Sequence, residues 1–165
     1  MIRLPRLLAA LSVSLLAGAA SAQEVVHHRV PDSDVPISQA VEIPDGRALV
    51  FLSSFGPFPS DGKQAPAHPG DTKAQTVAVL KRIEDSLARL ALTHADVVKM
   101  QVFLVADPKK GSKIDLAGFT EGYRQFYGTP AQPNLPTRSL VQVAGLVNPG
   151  WLVQIEVTAV RPKAR

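Results

Sequence analysis

The chain contains no cysteine. That absence excludes disulfides, thiolate metal sites, a cysteine nucleophile and a lipid-bearing N-terminal cysteine. Aromatic residues are scarce: one Trp, two Tyr and six Phe. They form no evident platform for stacking the bases of a single strand. No run of lysine or arginine marks a basic stripe, so no nucleic acid partner is expected. The histidines offer no metal spacing. His27 and His28 are adjacent, and on a strand they point to opposite sides. His68 lies in a proline-rich stretch and His94 follows a helical pattern beside Asp96. Each reads as a surface or capping residue, and neither a metal ion nor a cofactor is expected.

What is present begins with "MIRLPRLLAALSVSLLAGAASAQ". Arg3 and Arg6 precede an uncharged stretch from Leu7 to Ala20, closed by the small residues Ala20-Ser21-Ala22. This is the pattern of a secretory signal peptide over residues 1–22. The stretch falls short of the ~20 apolar residues a spanning helix needs. Cleavage would remove two of the 18 basic residues and leave 143 residues at a net charge of +2. The expected product is one exported, periplasmic domain over 23–165, free of the membrane and held together by packing rather than disulfides.

That domain reads as α+β, in the order β-β-β-α-β-α-β-β, with two helices against a mostly antiparallel sheet. "EVVHHRV" is a short first strand. "SQAVEI" and "RALVFLSS" flank Pro44-Asp45-Gly46 and suggest a hairpin. The proline-rich segment from Phe55 to Asp71 reads as a long loop. Thr72 and Gln75 suggest a capping box. Val77, Leu80, Ile83, Leu87 and Leu90 then trace a helical stripe. "VVKMQVFLV" alternates as a strand with Val98, Met100, Val102 and Leu104 inward. A second helix from about Lys113 to Tyr127 carries Phe119, Tyr123 and Phe126 as core. "TRSLVQV" and "WLVQIEVTAV" flank Asn148-Pro149-Gly150 and suggest a closing hairpin.

Alternation places Trp151, Val153, Ile155, Val157 and Ala159 on one apolar face, with Ser139, Val141 and Val143 matching them. The opposite face then carries Arg138, Leu140 and Gln142 beside Leu152, Gln154, Glu156 and Thr158. Such a mixed face suits a subunit contact or a pocket lining. The hairpin sets Arg138 across from about Glu156 or Thr158. Two readings of Arg138 stay open: a guanidinium fork for a ligand carboxylate, or a cross-strand ion pair with Glu156.

The segments "PISQAV", "LSSFGP", "ADVVKMQVFL", "FTEGYRQFYG", "LPTRSLVQVAGL" and "LVQIEVTAV" occur in the order of the RidA (YjgF) family, from about Val30 to Val160. The resemblance implies a chorismate-mutase-like α+β fold, a homotrimer with pockets between subunits, and hydrolysis of reactive enamines and imines to a 2-keto acid and ammonia. It implies that Arg138 grips the substrate carboxylate. The glutamate that handles protons and water in the family corresponds to Gln154, with Glu156 two residues further on. An amide holds water but exchanges no proton near neutral pH. The remaining pocket positions carried over are Ile37 for a tyrosine, Ser54 and Phe55 within Ser53-Ser54-Phe55, Thr120 for an asparagine, and Leu140 two residues after the arginine. The expected partner is a small carboxylate-bearing substrate or ligand. A non-catalytic binding protein on the same fold is the alternative. An endoribonuclease, the family's older description, lacks a histidine pair or basic stripe here. Ser38, Ser53 and Ser54 have no histidine base near them in sequence and are not expected to be nucleophiles.

Overall fold

The computed structural model describes residues 24–58 and 69–163. The expected signal peptide, His68 and most of the proline-rich loop lie outside these residues. Among the described residues no helix is long and apolar enough to cross a membrane.

The two helices start on aspartate caps. In α1 (Thr72–Arg89) the Asp71 carboxylate accepts the Ala74 N–H at 2.8 Å. The expected Thr72–Gln75 box is therefore not formed. Gln75 is fully buried and turned away instead. Its amide donates to the Gly70 and Gly150 carbonyls, both at 3.0 Å, and accepts the Leu152 N–H at 2.7 Å. This clip ties the helix start to the loop before the last strand. The buried stripe of α1 runs through Thr76, Val79, Leu80, Ile83 and Leu87, whereas Leu90 lies exposed at its end. The second helix, α2 (Leu116–Tyr123), is shorter than expected. Lys113 is held beforehand by an Asp107 bridge, and Asp115 caps the helix by accepting the Gly118 N–H at 2.9 Å. Beyond Tyr123 the chain continues in turns, and Tyr127 rather than Phe126 completes the fully buried aromatic row. The helices cross at Gly122, where a Cβ would lie 2.8 Å from the Thr76 Cβ and 3.0 Å from the Lys73 carbonyl.

The six strands are β1 (Val26–Arg29), β2 (Ser38–Glu42), β3 (Leu49–Phe55), β4 (Val97–Val105), β5 (Thr137–Val143) and β6 (Val153–Val160). The expected element order stands, but neither expected hairpin exists. β2 pairs with β1 in a two-stranded sheet, while β3 pairs with β6. The main sheet runs β3-β6-β4-β5, antiparallel except for the parallel β4–β5 pair. β4 thus separates the two strands read as a closing hairpin. Alternation reveals which face a strand buries but not which neighbour it takes. The nine residues between β5 and β6 also form no tight hairpin turn: Trp151 and Leu152 are buried there, with Leu152 held by Gln75. As expected, the core faces of β6 and β4 are Val153, Ile155, Val157 and Ala159, and Met100, Val102 and Leu104, packed on α1 and α2.

Candidate functional site

The register decides where Arg138 points. It pairs with Met100, which pairs with Val157, and both are buried on the helix side of the sheet. Arg138, Leu140 and Gln142 therefore share the helix-side face, and Ser139, Val141 and Val143 lie on the outer one. This inverts the expected orientation of β5. Arg138 and Glu156 stand on opposite faces with β4 between their strands, so the cross-strand ion pair is excluded.

Arginine tolerates this side because aromatic faces receive it. Its guanidinium carbon sits 4.6 Å from the Tyr123 ring centroid and 5.1 Å from that of Phe119, within cation–π range. Phe119 and Tyr123, four residues apart on α2, are fully buried and stacked, and Tyr127 stacks behind Tyr123 at 4.8 Å and 11°. Nη1 of Arg138 is buried and meets no acceptor among the described residues. Burial draws the Arg138 pKa down from its ordinary value, and Tyr123 opposes that shift. Burial also holds the Tyr123 phenol protonated by raising its pKa. A half-buried cation clamped by rings, with no carboxylate partner among the described residues, has the chemistry to take an external anion.

Two other expected site residues, Leu140 and Thr120, lie on this side, and Ile37 precedes β2. Leu140 is half-buried two positions along β5 and packs against the core. Thr120 is half-buried on α2 beside Phe119. Ile37 is half-buried just before β2. Its segment is tied to the entry of β5, since Ser38 donates its N–H to Pro136 at 3.0 Å and its hydroxyl to Leu135 at 2.5 Å. The rest of the expected set lies elsewhere. Gln154 and Glu156 are on the outer face of β6. There the Gln154 amide donates to the Ser54 hydroxyl at 2.6 Å, across a bulge in β3. Glu156 borders an open depression of about 230 Å³ with Phe51, Lys99 and Gln101. Phe55 belongs to neither group. It packs against the core, under the Arg82 guanidinium at 5.4 Å.

Arg138 thus lies on the helix side of the sheet, and Gln154 and Glu156 lie on its outer side. The Phe119–Tyr123 platform was read from sequence only as core. The signal for it was the four-residue spacing of two rings on the helix preceding the arginine strand.

His94 departs from its expected surface role. It is buried, with Nδ1 2.8 Å from the Tyr127 hydroxyl and its ring edge-on to Phe126 and Tyr127. Desolvation pushes its pKa down to about 4. His27 and His28 do diverge from one another, His27 toward the Leu135 carbonyl and His28 toward Glu42. Among the described residues no cluster of three or more His, Asp or Glu side chains could hold a metal ion.

Residues 26–161 match the family model described as Endoribonuclease L-PSP. A RutC family protein of Haemophilus influenzae is 33% identical over 139 residues, covering 84% of this chain and 97% of that one. Among solved structures, a Rid family protein of unknown function, YyfB from Yersinia pestis, superposes with a TM-score of 0.64 at 25% identity. It covers 82% of this chain and 96% of its own. Escherichia coli TdcF with bound serine superposes with a TM-score of 0.58 at 29% identity, over 85% of this chain and 99% of its own.

Proposed function

The chain belongs to the Endoribonuclease L-PSP family, the RidA/YjgF group, and from that premise we propose that it binds small carboxylic acids at Arg138, in a site completed between subunits of a homotrimer. The observation that carries this reading is the guanidinium itself. It is half-buried, held by two ring faces, and has no hydrogen-bond or ion-pair partner among the described residues. Leaving such a cation unmatched costs free energy, which a ligand carboxylate offsets with two parallel N–H···O bonds. TdcF, similar in fold, holds serine, a molecule with a carboxylate. The surroundings of Arg138 in its own chain are otherwise mostly apolar, with the Phe119 ring against it and Leu140 two positions along its strand.

A second activity is favoured by Glu156. We infer that this side chain, brought from the outer face of a neighbouring copy, activates water against the C=N carbon of an enamine- or imine-derived acid held at Arg138. Water adds to that carbon, ammonia leaves, and a 2-keto acid results. Gln154 orients rather than exchanges protons, since its amide is already engaged with Ser54. The arginines and the small-residue motif within residues 1–22 support export of the protein to the periplasm.

Thermal melting of the purified protein tests the binding reading. Pyruvate and 2-oxobutanoate raise Tm in the wild type and leave Arg138→Ala unmoved. A panel of 2-keto and amino acids that shifts neither protein removes the carboxylate site. For turnover, an amino-acid oxidase supplies imines and keto acid release is followed. The protein accelerates release over buffer, and Glu156→Gln lowers that rate by about a hundred-fold. Release no faster than in buffer eliminates the hydrolase and leaves a binding protein.

A further inference from the structure

We propose that Phe119 and Tyr123 are positioning residues for the anchor arginine: their ring faces, rather than hydrogen bonds, fix the guanidinium plane and turn one edge of it toward a single planar carboxylate. The inference rests on the carboxylate reading above and adds what orients the anchor.

An arginine that must hold one orientation is usually pinned by a neighbouring carboxylate or carbonyl. Arg138 has no such partner among the described residues, yet its guanidinium carbon lies 4.6 Å and 5.1 Å from two ring centroids. Those rings do not yield. Phe119 and Tyr123 are fully buried, and Tyr127 backs Tyr123 at 4.8 Å, nearly parallel. Their helix is itself locked onto α1 by the close approach at Gly122 and by a Lys73–Glu121 ion pair at 2.9 Å. Nη1 is enclosed without an acceptor among the described residues. A planar guanidinium held flat against ring faces presents an edge that suits two parallel bonds to one carboxylate. Aromatic clamping holds the charge without neutralising it, so the anchor stays available for a ligand.

Isosteric weakening of the ring face tests this. Phe119 is replaced by mono-, di- and trifluorinated phenylalanine, which keep its shape while draining the π face. Pyruvate affinity is measured by calorimetry beside the wild type, Arg138→Ala and Phe119→Leu. The expected result is a stepwise loss with each fluorine, about ten-fold in all, at unchanged Tm. Phe119→Leu, which removes the π face, loses affinity at least as far as the trifluorinated ring. Affinity that ignores fluorination while Arg138→Ala abolishes binding overturns the clamp and leaves the carboxylate reading intact. Wild-type protein that binds no pyruvate, or binds it equally well as Arg138→Ala, overturns both.

Discussion

At the scale of single residues, His94 shows how a buried base couples folding to pH. Its imidazole accepts or donates a hydrogen bond with Tyr127 in a site that disfavours charge, so its folded pKa falls to about 4. In the unfolded chain the same group titrates near its ordinary value of 6.5. Between these values the unfolded state binds more protons, so acid favours unfolding. Stability is full above about pH 6.5, declines as pH falls through this window, and loses up to about 3 kcal/mol by pH 4 from this residue. Urea midpoints of the wild type and His94→Gln, measured at pH 7, 5.5 and 4, check the prediction. The wild-type midpoint falls more steeply with acid than that of the variant, and parallel curves count against His94 as the cause. The buried state of this histidine was not legible in sequence. A lone imidazole after a helix looks like any capping residue until Tyr127 is brought to it over 33 positions of chain.

At the scale of elements, the position of α2 governs the anchor platform, and Gly122 governs the position of α2. A side chain there meets the Thr76 Cβ at 2.8 Å and the backbone carbonyl of Lys73 at 3.0 Å, and the backbone has no rotamer to escape into. Gly122→Val is expected to cost about 1–3 kcal/mol through overpacking, well beyond any gain in helix propensity. Chemical denaturation measures the loss, and a variant as stable as the wild type shows that the helices can part freely. Sequence periodicity located both helices and all six strands, because 3.6- and 2-residue patterns report the face each element buries. It misassigned the partners of β2, β3, β5 and β6, since pairing is settled by contacts remote in sequence. It also inverted β5. Matching Val141 and Val143 to the apolar face of β6 set the parity of the strand, and nothing local in it shows that rings on α2 receive the cation. The RidA resemblance picked out Arg138 and Gln154 without needing the register, but left their separation by the sheet unseen.

At the scale of the whole molecule, that separation argues for assembly. Glu156 and Gln154 face outward from β6, and Arg138 faces the helices from β5. No rotation of side chains carries both groups to one substrate within one chain, because the sheet lies between them. The outer face itself is unsuited to standing alone in water: Phe51 is 76% exposed, Leu49 45% and Val141 40%, interspersed with Lys99, Gln101 and Thr158. Burying such a face against a neighbouring copy removes apolar area worth about 25 cal/mol per Å², and the proposed function adds the requirement that Glu156 of one copy reach Arg138 of the next past the edge strand β5. The expected state is a homotrimer. Phe51→Asp places a charge at the most exposed apolar position of the sheet's strands and yields monomers by light scattering, with α1, α2 and the core retained by circular dichroism. The imine hydrolysis proposed above is expected to be lost with the assembly, and carboxylate binding with it; Phe51 borders the Glu156 depression but is not part of the Arg138 platform. A Phe51→Asp monomer that still hydrolyses imines at the wild-type rate would show that a single chain suffices and that water reaches the Arg138 side by another route.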